Sequence, residues 1–151
     1  MNRKNTFTTL FFITIVGCLS FIYAHKKHIN NFTCQGQVNS FKGSVSYRAR
    51  DQYTFSNGNG EIQTVGFYIN KDQKKEITYN IKFTYDIIGD DFYMFSTYSS
   101  LNSADANLLN DVVPDFYLYK DRGFRMIVSL YDKNTYVFST LGVPFLVCTN
   151  N

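Results

Sequence analysis

The chain has no tryptophan, only two prolines, only two histidines and no acidic side chain before Asp51. Both histidines, His25 and His28, precede the part of the chain that carries strand patterning. A Ser-His-Asp or Cys-His nucleophile pair therefore has no base within that part. Cys34 and Cys148 are remote from one another in sequence and do not form the Cys-x-x-Cys pair of a thiol exchanger. Gly58 and Gly60 lack the strand-to-helix setting and the trailing Lys-Ser/Thr of a phosphate loop. His25-x-x-His28 has the spacing of two metal ligands on a helix, yet no Cys, Asp or Glu lies near it. Asp86, Asp90 and Asp91 gather at a turn, where they could hold calcium or work as paired carboxylates. Asp and Gly are ordinary turn residues, so a solvated hairpin is the simpler reading. No catalytic residue, metal or cofactor is expected, and the chain does not read as an enzyme.

Charge is missing altogether from residues 7–24, between Arg3-Lys4 and His25-Lys26-Lys27-His28. As a helix this run spans about 27 Å, close to the roughly 30 Å of a bilayer core. Its strong inserters include Phe7, Phe12, Ile15, Leu19 and Ile22. Together the apolar side chains favour insertion by about 3–6 kcal/mol. Residues 1–28 are thus expected to be a cytoplasmic stub and transmembrane signal anchor. Two other readings stay open. Ala24 suits the residue before a signal-peptidase cut, although Ile22 is larger than usual there. Ile15-Val16-Gly17-Cys18 has the form of a lipobox, although the apolar run continues past Cys18.

The formal net charge of +3 belongs to these flanks. Arg3, Lys4, Lys26 and Lys27 are four of the fifteen basic residues, while all twelve acidic ones lie beyond position 50. The remainder, 29–151, is nearly neutral and has no basic stripe for nucleic acid. It is long enough for one domain with its own core. Cys34 and Cys148 sit at its two ends and are expected to form a bridge, two buried thiols being the other reading. A bridge would close a loop of about 115 residues and stabilise the fold by about 4–5 kcal/mol. Such a bridge suits an exported domain, which breaks the near tie between the basic residues on the two sides of the anchor.

The patterning in this domain is antiparallel β. Val45–Arg50 and Gln52–Phe55 form a strand pattern ending at Asn57-Gly58-Asn59-Gly60, a hairpin signal because Asn and Gly accept positive φ. Glu61–Ile69 follows. Residues 76–85 then alternate, with Ile77, Tyr79, Ile81, Phe83 and Tyr85 on the apolar side. Phe92–Tyr98 comes next, then a short helix between Asn102 and Val113, capped by Asn102 and stopped by Pro114. Phe116–Tyr119, Phe124–Tyr131, Thr135–Ser139 and Pro144–Cys148 read as the remaining strands. The last is expected to pair with the first, Phe32–Val38. The fold class is mainly β: one N-terminal membrane helix, then a curved sheet or barrel with one short helix. Fifteen Phe and twelve Tyr are heavy for this length. Most must fill the core. Tyr93, Tyr98, Tyr117 and Tyr119, flanking the helix, are candidates for a partner or ligand surface.

This layout resembles the FidL-like family of small bacterial inner-membrane proteins. The resemblance rests on Phe32-Thr33-Cys34 soon after the anchor, on Gly58-Asn59-Gly60-Glu61-Ile62 followed by Val65-Gly66, on the alternating strand, and on the closing Pro144-Phe145-Leu146-Val147-Cys148. Lys74-Lys75-Glu76 stands where the family often carries an Arg. The resemblance implies a single-pass protein with a periplasmic β domain. It also implies a role as accessory partner of a membrane-anchored, ToxR-like transcription regulator. The alternative it implies is a sensor or carrier holding a small apolar ligand, such as a bile salt or lipid, in a barrel cavity.

Overall fold

The computed structural model describes Phe11, residues 13–18, Ser20, 31–71 and 73–150. Eight strands follow one another around a closed antiparallel barrel: β1 (Asn31–Lys42), β2 (Val45–Ser56), β3 (Asn59–Asn70), β4 (Gln73–Ile88), β5 (Asp91–Ser99), β6 (Gly123–Leu130), β7 (Thr135–Thr140) and β8 (Val143–Thr149). One short helix, α1 (Ser103–Leu109), and a 3-10 turn at Asp115–Tyr117 interrupt the series between β5 and β6. Every strand neighbours its predecessor, so tight turns suffice for all but one connection. Asn57 and Gly58 make the β2–β3 turn at positive φ, as their side chains permit.

The alternation of residues 76–85 holds. Ile77, Tyr79, Ile81, Phe83 and Tyr85 are all buried. They meet inward residues of the other strands, and the middle of the barrel is solid aromatic packing. Phe32 stacks on Phe55 at 4.6 Å and on Tyr136 at 4.0 Å. Phe55 takes Phe83, Tyr85, Phe92 and Phe138 edge-on. Edge-to-face pairs place the positive ring edge on a neighbour's negative face, which adds about 0.5–1.5 kcal/mol each beyond burial.

Cys34 and Cys148 are joined, with Cα atoms 5.3 Å apart. The bridge lies beside the narrowest ladder of the barrel. β1 pairs with β2 along all twelve residues, but with β8 only at Gln35–Thr149 and Gly36–Cys148. Gly36 is required there, because a Cβ would lie 2.8 Å from the Val147 carbonyl oxygen and on top of Leu146. Beyond Gly36 the two strands diverge. No described strand pairs with Gln37–Lys42 on that side, so the closed barrel has a split seam.

Two expectations are corrected. Phe116–Tyr119 is not a strand. Phe116, Tyr117 and Leu118 are buried in succession, which a period of two does not allow, and Pro114 with Asp115 opens a 3-10 turn instead. The helix is also shorter than its apolar spacing suggested and ends at Leu109, although Asn102 caps it as expected by accepting from the Asp105 N–H at 2.9 Å. Among the described residues no helix is long and apolar enough to cross a membrane. Phe11, residues 13–18 and Ser20 are helical, and Ile15 in this stretch is exposed. Phe7, Phe12, Leu19 and Ile22 lie outside the described residues, as do Ala24, His25 and His28. Cys18 is a free, exposed thiol.

Candidate functional site

At the end of the barrel where β1 leaves β8, the aromatic packing gives way to a cavity of about 240 Å³. Three parts of the chain build it. β2 contributes Tyr47, Asp51 and Tyr53, which share the inward face because side chains of a strand alternate. β4 contributes Tyr79, and the turn after Pro114 contributes Tyr117. Val38 and Ser40 of β1, Val112 and Val113 before the turn, and Phe145 of β8 form the partly exposed rim. The helical insert is held over this end by two ion pairs, Lys75 with Asp105 and Lys42 with Asp111. Lys75 holds the Asp105 carboxyl below its usual range.

The polar chemistry is concentrated on the floor. Asp51 is 5% exposed and is the only charged residue lining the cavity among the described residues. The Thr64 hydroxyl donates to its Oδ1 at 2.8 Å. Burial raises its carboxyl from an ordinary 3.8 to about 6, with Thr64 and the nearby Tyr53 hydroxyl pulling the other way. No lysine or arginine reaches it from the cavity wall. The Tyr53 and Tyr117 hydroxyls face each other at 3.3 Å. Burial pushes the phenols of Tyr47, Tyr53, Tyr79 and Tyr117 above their ordinary value, so all four are neutral donors at physiological pH. Tyr47 Oη lies close enough to Tyr79 to be felt electrostatically, but it makes no hydrogen bond of normal geometry. It is the one buried side-chain polar atom left without a partner among the described residues. Gly66 of β3 lets the Tyr47 ring lie flat against the sheet, where a Cβ would stand 2.8 Å from both Cε2 and Oη of that ring.

The four tyrosines singled out by sequence do not converge. Tyr117 is buried and belongs to the cavity. Tyr93 and Tyr98 point outward from β5 and are 42% and 48% exposed, with Phe95 between them. Tyr119 is half-buried, with the Arg122 guanidinium 6.0 Å from its ring centre. Asp86, Asp90 and Asp91 do not converge either. Asp91 is engaged by a two-point contact from Arg125 at 3.0 and 2.7 Å, which holds its carboxyl below the usual range. Asp51, Tyr47, Tyr53 and Tyr79 were absent from the sequence-derived candidates.

A second feature adjoins the cavity on the outside. The split seam continues into a shallow groove on the outer face of β1–β3, lined by Gln37, Phe41, Arg48, Arg50, Val65 and Phe67 among others. Phe41 is 66% exposed and Val65 47%. The groove contains two arginines and no acidic side chain.

An eight-stranded antiparallel barrel with a buried carboxyl at its open end is the class of protein these features define. The chain belongs to the family of the YqeJ C-terminal domain, whose family model matches residues 31–148 and so takes in the barrel almost entirely. No curated protein matches the chain.

Proposed function

We propose that this protein is a non-enzymatic, single-pass inner-membrane accessory protein whose barrel, on the periplasmic side, binds a membrane-anchored partner at the split seam. The observation that carries this reading is the stretch Gln37–Lys42, an ordered strand that no described strand pairs with on one side. An unpaired edge of this kind is a template for an added strand. The exposed Phe41, Val65 and Phe67 alongside it offer apolar contact, and Arg48 and Arg50 favour a segment with acidic flanks. The resemblance to FidL-like proteins makes a ToxR-like transcription regulator the partner of choice. The uncharged run at residues 7–24 would hold both proteins on one surface and raise their effective concentration.

The rival reading, a carrier for a bile salt or lipid, has less support. The barrel axis is filled by Phe32, Phe55, Phe83, Phe92 and Phe138. What remains, about 240 Å³ with a carboxyl at its floor, is below the roughly 300–1,000 Å³ of pockets that enclose larger ligands.

The test is hydrogen exchange on the full-length chain in vesicles, with and without a co-reconstituted regulator encoded beside it. Amides of 37–42, 143 and 145–147 are expected to slow on complex formation. A complex that protects only the β5 face around Tyr93 and Tyr98 would sink the seam as the site. Failure of any such regulator to bind would sink the partner reading itself.

A further inference from the structure

We infer that the cavity between Asp51 and the split seam is a binding site for a small organic ammonium ion, with Asp51 as its counter-ion and the tyrosine rings as its walls. The inference rests on three observations, none of which involves the partner.

The first is an uncompensated acid. A carboxylate offers about four acceptor sites. Asp51 has one hydrogen bond of normal length, from Thr64, with the Tyr53 hydroxyl also near its carboxyl, and the residue lines the cavity without a cation among that lining. Buried charges in folded proteins are paired or neutralised. No lysine or arginine is among the described residues that line the cavity, and Lys42 and Lys75 of the insert contacts are engaged by Asp111 and Asp105. Its own pKa, raised by burial, marks the same unmet need for positive charge.

The second is the wall. Tyr47, Tyr53, Tyr79 and Tyr117 surround the acid, and Phe124 and Phe145 complete the lining towards the seam. Aromatic faces attract cations, most strongly where water is excluded, and rings around a quaternary or primary ammonium are a recurrent recognition device. A metal ion suits the cavity poorly. Calcium needs six to eight oxygen ligands, and no group of three or more candidate ligands occurs among the described residues.

The third is the unpartnered Tyr47 hydroxyl. The Tyr47 residue lines the cavity, and its oxygen is buried without a hydrogen bond of normal geometry, with the Tyr79 hydroxyl beside it. A primary ammonium has three N–H donors. One directed to Asp51 and one to Tyr47 Oη would satisfy both orphaned groups. Entry is through the rim, where Val38, Ser40, Val112, Val113 and Phe145 are partly exposed. The ligand class is a short-chain amine or methylated ammonium, limited by a volume of about 240 Å³.

The experiment is isothermal titration of the purified full-length chain in detergent at pH 7.5, in phosphate buffer because Tris is itself a primary amine. The probes are n-butylammonium, tetramethylammonium and the uncharged isostere 1-butanol. Saturable one-to-one binding of both cations is expected, with 1-butanol at least tenfold weaker. Asp51→Asn is expected to weaken both cations at least tenfold. Tyr47→Phe, which keeps the ring, is expected to weaken n-butylammonium severalfold and leave tetramethylammonium unchanged. Equal binding of 1-butanol and n-butylammonium would overturn the inference, as would unchanged binding in Asp51→Asn. Absence of a saturable isotherm for either cation up to about 10 mM, tenfold above a millimolar dissociation constant, would overturn it equally.

Discussion

Replacing Asp51 by Asn should make the protein more stable at neutral pH but not in acid. The reason lies in the environment of the carboxyl. Folding moves its pKa from an ordinary 3.8 to about 6, chiefly through burial. The folded state therefore holds its proton more tightly than the unfolded state. Between about pH 4 and pH 6 the folded protein binds more protons, so stability falls as pH rises through that window. Above it the whole difference is present, about 3 kcal/mol at 1.36 kcal/mol per tenfold change in proton affinity. Asparagine has nothing to ionise, and its Oδ1 can still accept from Thr64. Its amide group also adds two donors to a cavity wall, which offsets part of the gain. The expected net stabilisation at pH 7.5 is about 1–3 kcal/mol, or about 4–12 °C in Tm for a domain of this size.

Carboxylates with partners act in the opposite sense. Asp91 beside Arg125, Asp105 beside Lys75 and Asp132 beside the Asn134 N–H all have lowered pKa values, so they lose stabilising interactions as pH falls. The quantity to measure is therefore the difference between variant and wild type, by urea unfolding across pH 4 to 8 in amine-free buffer. These contributions cancel in that difference. It should be lowest at pH 4, at zero or slightly below it by the cost of the amide donors, and grow to its full value by pH 7. A difference that is independent of pH, or a variant less stable than wild type at pH 7.5, would refute the placement of an unpaired carboxyl in the barrel.

Two further outcomes follow from the same geometry. The Cys34–Cys148 bridge spans 114 positions of sequence, so replacing both cysteines by serine should lower unfolding stability by about 4–5 kcal/mol, read from denaturant midpoints under reducing and non-reducing conditions; equal midpoints would mean that the bridge does not restrict the unfolded chain. Gly66→Ala should lower stability by about 1–3 kcal/mol, because its Cβ meets the Tyr47 ring at 2.8 Å and Ala49 Cβ at 2.9 Å; a Tm equal to that of wild type would show that the ring moves freely.

Much of the barrel could be read in the chain before its structure. The alternation of residues 76–85, the Asn57-Gly58 turn, the Asn102 cap and the pairing of the terminal cysteines are local or compositional signals, and the structure contains all four. The candidate site was harder to see for a specific reason. In the sequence, Asp51 stands as an acid between the runs Val45–Arg50 and Gln52–Phe55. Yet Tyr47, Ala49, Tyr53 and Phe55 keep one phase of two straight through it, and β2 runs unbroken from Val45 to Ser56. The continuous phase places Asp51 inward, and an acid on the apolar face was the available signal. Phe116–Tyr119 failed for the converse reason: unbroken apolar character was read as a strand although it carries no period. The seam had no local signal at all. It depends on where β8 lands on β1, a contact between the two ends of the barrel that no window of sequence contains.

The position of the disulfide relative to that seam has a mechanical meaning. Two residue pairs and one covalent link hold β1 to β8 at a single place, with unpaired strand running away from it. The joint behaves as the rivet of a pair of scissors. β1 travels with β2, to which it is paired throughout, and β8 travels with β7. If the seam takes up a strand as proposed, these two blades part without breaking either of their ladders, and the rivet keeps them joined. The same spreading would widen the rim of the Asp51 cavity, since Val38 and Ser40 sit on one blade and Phe145 on the other.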